Sequence, residues 1–101
     1  MSIDHVAIVV SDIGNSVDWY IKKFNARVDY QDDTWAMLKV GESKLALTLP
    51  GLHPAHIAIQ VSDMQSFPEG VEVKTHRDGS VYAYIEDLDN NVIEYIYYES
   101  N

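Results

Sequence analysis

His5 and His56 lie fifty-one residues apart, at the same place in a repeated segment. Residues 3–13 read IDHVAIVVSDI and residues 54–64 read PAHIAIQVSDM, with His, Ala, Ile, Val, Ser and Asp shared at matching positions. A lone histidine on a strand is ordinarily a satisfied or exposed polar residue. Two at equivalent repeat positions point to a common task. The chain has no cysteine, which excludes thiolate ligands, disulfides and cysteine nucleophiles together. Any metal site must therefore use nitrogen and oxygen donors. The other two histidines have weaker claims. His53 precedes Pro54 at a strand entry, so it and His56 point to different faces, and it reads as a loop residue. His76 lies in Lys74-Thr75-His76-Arg77-Asp78-Gly79, which reads first as a solvated turn and second as a loop that supports the site or touches substrate.

These residues need elements to hold them. Each repeat opens on a β-rich run without helical period. Alternation puts His5, Ala7 and Val9 on one face and Val6, Ile8 and Val10 on the other; the second copy sets His56, Ala58 and Gln60 against Ile57, Ile59 and Val61. The branched aliphatic face is expected to pack under a helix. In the first half that helix starts at an Asp12 cap, carries Ile13, Val17, Tyr20 and Phe24 on one face and stops near Asn25. Strands follow at 26–31, 34–40 and 44–49, the last two joined by Gly41-Glu42-Ser43. The second half repeats this order with one loss. Only Met64, Gln65, Ser66 and Phe67 separate Ser62-Asp63 from Pro68 and Gly70, room for about one helical turn. Strands are expected at 71–75, 80–86 and 91–98, with Asp87-Leu88-Asp89-Asn90 as the last turn. The class is α+β: tandem βαβββ modules, 1–50 and 51–101, in one domain.

The tandem repeat, a histidine near the start of each half, and the run Tyr84-Ile85-Glu86-Asp87-Leu88-Asp89-Asn90-Asn91-Val92-Ile93-Glu94 resemble the vicinal oxygen chelate superfamily. That superfamily holds glyoxalase I, extradiol dioxygenases, fosfomycin-resistance enzymes and bleomycin-binding proteins. The closing run is similar to the family pattern F-x-D-P-D-G-N-x-x-E, with Leu88 in place of Pro and Asn90 in place of Gly. Asn tolerates the left-handed conformation that Gly supplies.

The resemblance implies a partly open mixed sheet around a metal or substrate pocket, with one metal position on the first strand and one on the last strand of each half. Carried over, these are His5, Ala46, His56 and Glu94. Strand parity agrees, since Ala46 lies opposite Leu45, Leu47 and Leu49, and Glu94 opposite Ile93, Tyr95 and Tyr97. Ala46 offers no donor atom. What remains is two imidazoles and a carboxylate, suited to Fe, Mn, Zn or Ni with coordination positions open to a chelating substrate. The resemblance further implies that Tyr84 faces the pocket and orients substrate, with core packing as the alternative. Trp35 and Met37 line the first hairpin, more readily as packing than as substrate contacts. Lys74, Arg77 and Tyr84 resemble the spacing of phosphonate-contacting residues in fosfomycin-type transferases, although Ala7 stands where those enzymes carry a hydroxyl. The function implied is a metal-dependent lyase, isomerase or dioxygenase. The other readings are a metal-free binding protein of the bleomycin-resistance kind and a fosfomycin-type transferase.

Composition narrows the partners. Seven Lys and Arg against sixteen Asp and Glu give a net charge of −9, which opposes phosphate backbones and so disfavours nucleic acid and anionic membranes. A small-molecule substrate is the expected partner. No stretch approaches the ~20 apolar residues of a membrane span. The N-terminus lacks a basic flank before its apolar run, and a cytoplasmic location is expected. The stunted second helix leaves Ile57, Ile59 and Val61 short of cover, so a homodimer is expected.

Overall fold

Two aspartates set where the chain leaves its first strands. Asp12 and Asp63, matching residues of the repeat, both adopt extended backbone and cap the next element. The Asp12 carboxylate accepts the Asn15 amide at 2.8 Å and opens α1 (Ile13–Phe24), while Asp63 accepts the Ser66 amide at 3.1 Å over a single 3₁₀ turn (Met64–Ser66). The same cap thus begins a twelve-residue helix in one half and three residues in the other. The cause is downstream: Ile13, Val17 and Tyr20 give α1 an apolar face to bury, whereas Pro68 cuts the second helix off before such a face exists. Asn25 ends α1 in the left-handed conformation at φ 56°, its amide donating back to Ile21 and Tyr20.

The computed structural model describes residues 1–99. Its strands are β1 (Ser2–Val9), β2 (Arg27–Gln31), β3 (Trp35–Val40), β4 (Ser43–Thr48), β5 (His56–Gln60), β6 (Lys74–Thr75), β7 (Val81–Glu86) and β8 (Val92–Tyr97). With α1 they make an α+β fold. By contact density the chain divides into one unit of His5–Ala55 and another of Met1–Asp4 with the chain from His56 onward. Within the first unit the strand order is β2-β3-β4-β1, with β1 parallel to β4 and the other pairs antiparallel. The second unit has β5-β8-β7-β6, with β5 parallel to β8 and the other pairs antiparallel. The pairing plan repeats as the sequence does.

Register makes the correspondence residue by residue. Ala7 pairs with Ala46, which pairs with Met37; Ala58 pairs with Glu94, which pairs with Tyr84. Val9, Thr48 and Trp35 form the next row of the first unit, and Gln60, Ile96 and Tyr82 that of the second. Ala46 is therefore the structural counterpart of Glu94, and Thr48 that of Ile96.

The first unit's core lies on the opposite face of its sheet. Ile13 and Val17 of α1 pack with Ala26, Ala36, Leu38 and Leu47, edged by Ile8, Val10, Tyr20, Val40, Leu45 and Leu49. This corrects one expectation. The aliphatic face of β1 is not the one fully covered: Val6 stays 37% exposed, while His5 and Ala7 on the other face are buried. The reason is that α1 packs mainly over β2, β3 and β4, so that on β1 Ile8 meets the core cluster, as Val10 does just beyond the strand, while Val6 does not. The second unit behaves alike at Ile57, 38% exposed, although Phe67 tilts onto Tyr95 at 5.8 Å and Val61 is buried.

Strand limits moved by a residue or so at most ends. The exception is the strand expected at 71–75, which shrinks to Lys74–Thr75. The chain leaves the Pro68–Gly70 turn outside the ladder and joins β7 only where Lys74 meets Tyr82 and Thr75 meets Val81. Asn90 takes the left-handed φ of 67° expected of a residue in the family's Gly place. Asp87 holds that turn by accepting the Asn91 side chain and then the Asn91 and Asp89 amides, bonds that lower its pKa in that order.

Candidate metal centre

In the second unit the register assembles a buried acid from residues distant in sequence. β8 places Glu94 between Ala58 of β5 and Tyr84 of β7 on one face of the sheet. Ala58 is fully buried and has only a methyl group, which leaves space beside it. His56, two residues earlier on that face, sets its Nε2 at 3.1 Å from Glu94 Oε1. On the other side His76 sets its Nε2 at 2.8 Å from Glu94 Oε2. Glu94 is only 1% exposed, so its charge has little water to share. A buried carboxylate needs a compensating positive or donating partner, and two imidazoles flank this one.

An aromatic chain closes around the carboxylate. The His76 ring stacks on Tyr82 at 3.6 Å and 8°; Tyr82 meets Tyr84 edge-on at 5.5 Å; Tyr84 meets His56 edge-on at 5.4 Å. Burial first, then the negative charge of Glu94 and then Tyr82, push the Tyr84 pKa well above the ordinary tyrosine value. Tyr84 thus keeps its proton at neutral pH.

The first unit presents the matching face with different chemistry. His5 is buried on β1, followed on its face by Ala7, with Ala46 and Met37 across the sheet. In the next row Trp35, half-buried, stacks on Tyr30 at 4.9 Å. Asp32 fixes this pair. It accepts the Tyr30 hydroxyl at 2.6 Å and, through Oδ1, the amides of Thr34 and Trp35, contacts that hold its pKa well below the usual carboxylate range. Beside Trp35 lies Thr48, 4% exposed, whose Oγ1 has no hydrogen-bond partner among the described residues. A buried hydroxyl left unpaired is uncommon and costly.

Set against the sequence expectations, His56 and Glu94 come together and Tyr84 stands beside them. His76 is not a solvated turn residue, for it is half-buried and bonded to Glu94. Arg77 is exposed on the same turn, outside that group, and His53 is exposed in the 50–54 loop, where a cavity of about 490 Å³ is lined by Val9 and the loop residues. Trp35 and Met37 lie on the His5 face of their sheet, away from the α1 core. Sequence reasoning passed over Thr48. Its place two residues beyond Ala46 on the same strand face was the signal available.

The two-His, one-carboxylate donor set suits a divalent ion. Two donors each ~2.1 Å from one ion stand roughly 3.0–3.4 Å apart at octahedral or tetrahedral angles, and His56 and Glu94 stand at 3.1 Å. The donor types and this spacing fit a metal.

Comparison with known proteins agrees with the fold. The model of the Glyoxalase/Bleomycin resistance protein/Dioxygenase superfamily matches residues 2–63, and the chain belongs to that superfamily. The matched span holds His5 and His56 and ends before Glu94, whose place rests on the β5–β8 register. No curated protein matches. Among solved structures, a hypothetical protein from Bacillus halodurans C-125 aligns at TM-score 0.77 and 20% identity, over 99% of this chain and 96% of that one. A methylmalonyl-CoA epimerase from Streptomyces coelicolor, solved in complex with 2-nitronate-propionyl-CoA, aligns at TM-score 0.75 and 20% identity over 99% of both chains. A superfamily member from Vibrio splendidus 12B01 aligns at TM-score 0.72 and 13% identity, over 93% of this chain and 97% of that one. At these identities the likeness is one of fold.

Proposed function

We propose that the protein is a metal-dependent enzyme in which His5, His56 and Glu94 hold a divalent ion that takes two neighbouring oxygens of a small substrate. The observation that carries this is the buried Glu94 carboxylate facing the His56 nitrogen at 3.1 Å. His5 joins them as the repeat partner of His56, buried at the same place on its strand, and each of the three offers one ligand atom. When bound, the ion would act as a Lewis acid and, as Fe(II), support oxygen chemistry. The chain's own residues do the rest. Tyr84, held neutral, donates a hydrogen bond to a substrate oxygen as negative charge develops there. Trp35, fixed by Tyr30 and the Asp32 turn, gives the substrate body a flat surface.

A two-imidazole, one-carboxylate set with open positions is the arrangement of non-haem Fe(II) oxygenases, and dioxygenase-type chemistry is the reading it favours. An isomerase or lyase needs a base beside the metal, and Ala46 stands where the counterpart of Glu94 would be. The CoA esters of the epimerases are a poor match for this chain. Coenzyme A carries several phosphate charges, and only seven Lys and Arg stand among sixteen acids here. Exposed Arg77 alone likewise gives little hold on a phosphonate. The exposure of Val6 and Ile57 supports a homodimer. The described residues include no helix long and apolar enough to cross a membrane, and a reducing compartment such as the cytoplasm suits a chain without cysteine.

The test is metal analysis of purified protein with melting curves in Fe(II), Mn(II), Zn(II) and Ni(II). The reading expects a bound metal or a raised melting temperature, abolished in His56→Ala and Glu94→Gln. Neither a bound metal nor any shift would favour a metal-free binding protein of the bleomycin-resistance kind.

A further inference from the structure

The His76 contact has more detail than a support for the site requires. His76 comes from the β6–β7 turn, eighteen residues before Glu94, yet its ring is fixed at three levels. Its amide donates to the Ser80 carbonyl at 2.8 Å and its own carbonyl accepts the Gly79 amide at 3.0 Å. Asp78 Oδ1 accepts both the Ser80 amide and the Ser80 hydroxyl, at 2.8 and 2.6 Å, and Gly79 provides the φ of 89° that the turn needs. The ring then lies flat on Tyr82. This rigid turn delivers one nitrogen to one oxygen. A carboxylate only accepts, so the His76 Nε2–H donates to Glu94 Oε2. The other oxygen, Oε1, is the one that faces His56.

We infer that His76 is a positioning residue that occupies Glu94 Oε2 and so makes Glu94 a one-oxygen ligand, presenting only Oε1 to the ion. A carboxylate free to rotate can offer a metal either oxygen or both. A hydrogen bond to one oxygen selects the binding mode and fixes the plane of the group, leaving a further coordination position for substrate. This deepens the metal reading and rests on it. It also moves His76 from contacting substrate to shaping the ligand.

Cobalt(II) titration tests it, because the visible Co(II) spectrum reports ligand number and geometry apart from any turnover. Three full-length proteins are compared: wild type, His76→Ala and His76→Gln. Both variants lose the stack on Tyr82, but Gln keeps an N–H donor that can reach Oε2. His76→Ala is expected to weaken Co(II) binding ~10–100-fold and to alter the spectrum, and His76→Gln to recover most of the affinity with the wild-type spectrum. Far-UV circular dichroism confirms folding of each. Binding by His76→Ala as tight as wild type overturns the inference. So does His76→Gln binding as weakly as His76→Ala, since the imidazole itself would then be a ligand. Failure of the wild type to take up Co(II) overturns the metal reading and this inference with it, whereas wild-type uptake unaffected by His76→Ala overturns only the role of His76.

Discussion

Glu94 is a buried acid whose two oxygens have different neighbours, and that asymmetry governs the chemistry available to it. Tyr84 beside it is shifted by burial first and by that charge second. Its raised pKa means the folded state keeps a proton that the unfolded chain releases near pH ~10. The stability this confers is therefore full below the unfolded tyrosine pKa and is lost as pH rises toward the folded value. Tyr98 behaves alike, through burial and its bond to Asp4. Ultraviolet titration should show phenols ionising late, and Tyr84→Phe should remove one of them and reduce the alkaline loss of stability; late ionisation unchanged in that variant would contradict the assignment. Thr48 gives a second residue-scale prediction. Replacing it with Val removes an unpaired buried hydroxyl and keeps the shape, so stability in urea should stay unchanged or rise by up to ~1 kcal/mol. A loss of more than that would mean the hydroxyl has a partner, such as an ordered water. Of the residues at this scale, the repeat singled out His5 and His56, and the family resemblance with strand parity pointed to Glu94. The His76 bond was not, since it depends on a turn folding back over Tyr82 rather than on any local pattern.

Among the elements, the contrast between α1 and the 3₁₀ turn is the informative one. Equal caps precede unequal helices, so capping selects where a helix starts while the buried face decides how far it runs. Asp12→Ala should cost about 1 kcal/mol in denaturant unfolding, since it removes the cap of a packed helix. Asp63→Ala should cost less, because only one turn depends on it. Equal losses would show that the short turn carries more of the second unit than its packing suggests. The elements themselves could be read from sequence almost throughout: Asp12, Asn25, Gly41 and Asn90 mark their ends by residue chemistry. What sequence could not give was where α1 would lie. Its apolar face fits any sheet surface of suitable shape, and it settled on β2, β3 and β4 rather than on the aliphatic side of β1. The short β6 was missed for a similar reason, since Val71 and Val73 favour a strand but find no partner strand among the described residues.

For the whole molecule, the repeat explains both what is kept and what is lost. The first unit keeps its helix and carries Ala46 where the second carries Glu94; the second keeps the acid and gives up the helix. Exposed Val6 and Ile57 on the two first strands lead us to expect a dimer in solution, with sedimentation at micromolar concentration giving twice the chain mass. A monomer there would leave those side chains open to solvent and contradict the proposal. The net charge of −9 predicts in addition that binding of anionic ligands such as coenzyme A esters will be weak at low salt, the repulsion easing as salt rises. His5, His56 and Glu94 are proposed to hold one divalent ion. The most direct measurement is the stoichiometry of Fe(II), Mn(II), Zn(II) and Ni(II) binding by calorimetry to wild type and to Glu94→Gln. One ion per chain in the wild type, with binding lost or greatly weakened in the variant, is the predicted result. No binding of any of the four ions, or binding that Glu94→Gln leaves unchanged, would contradict it.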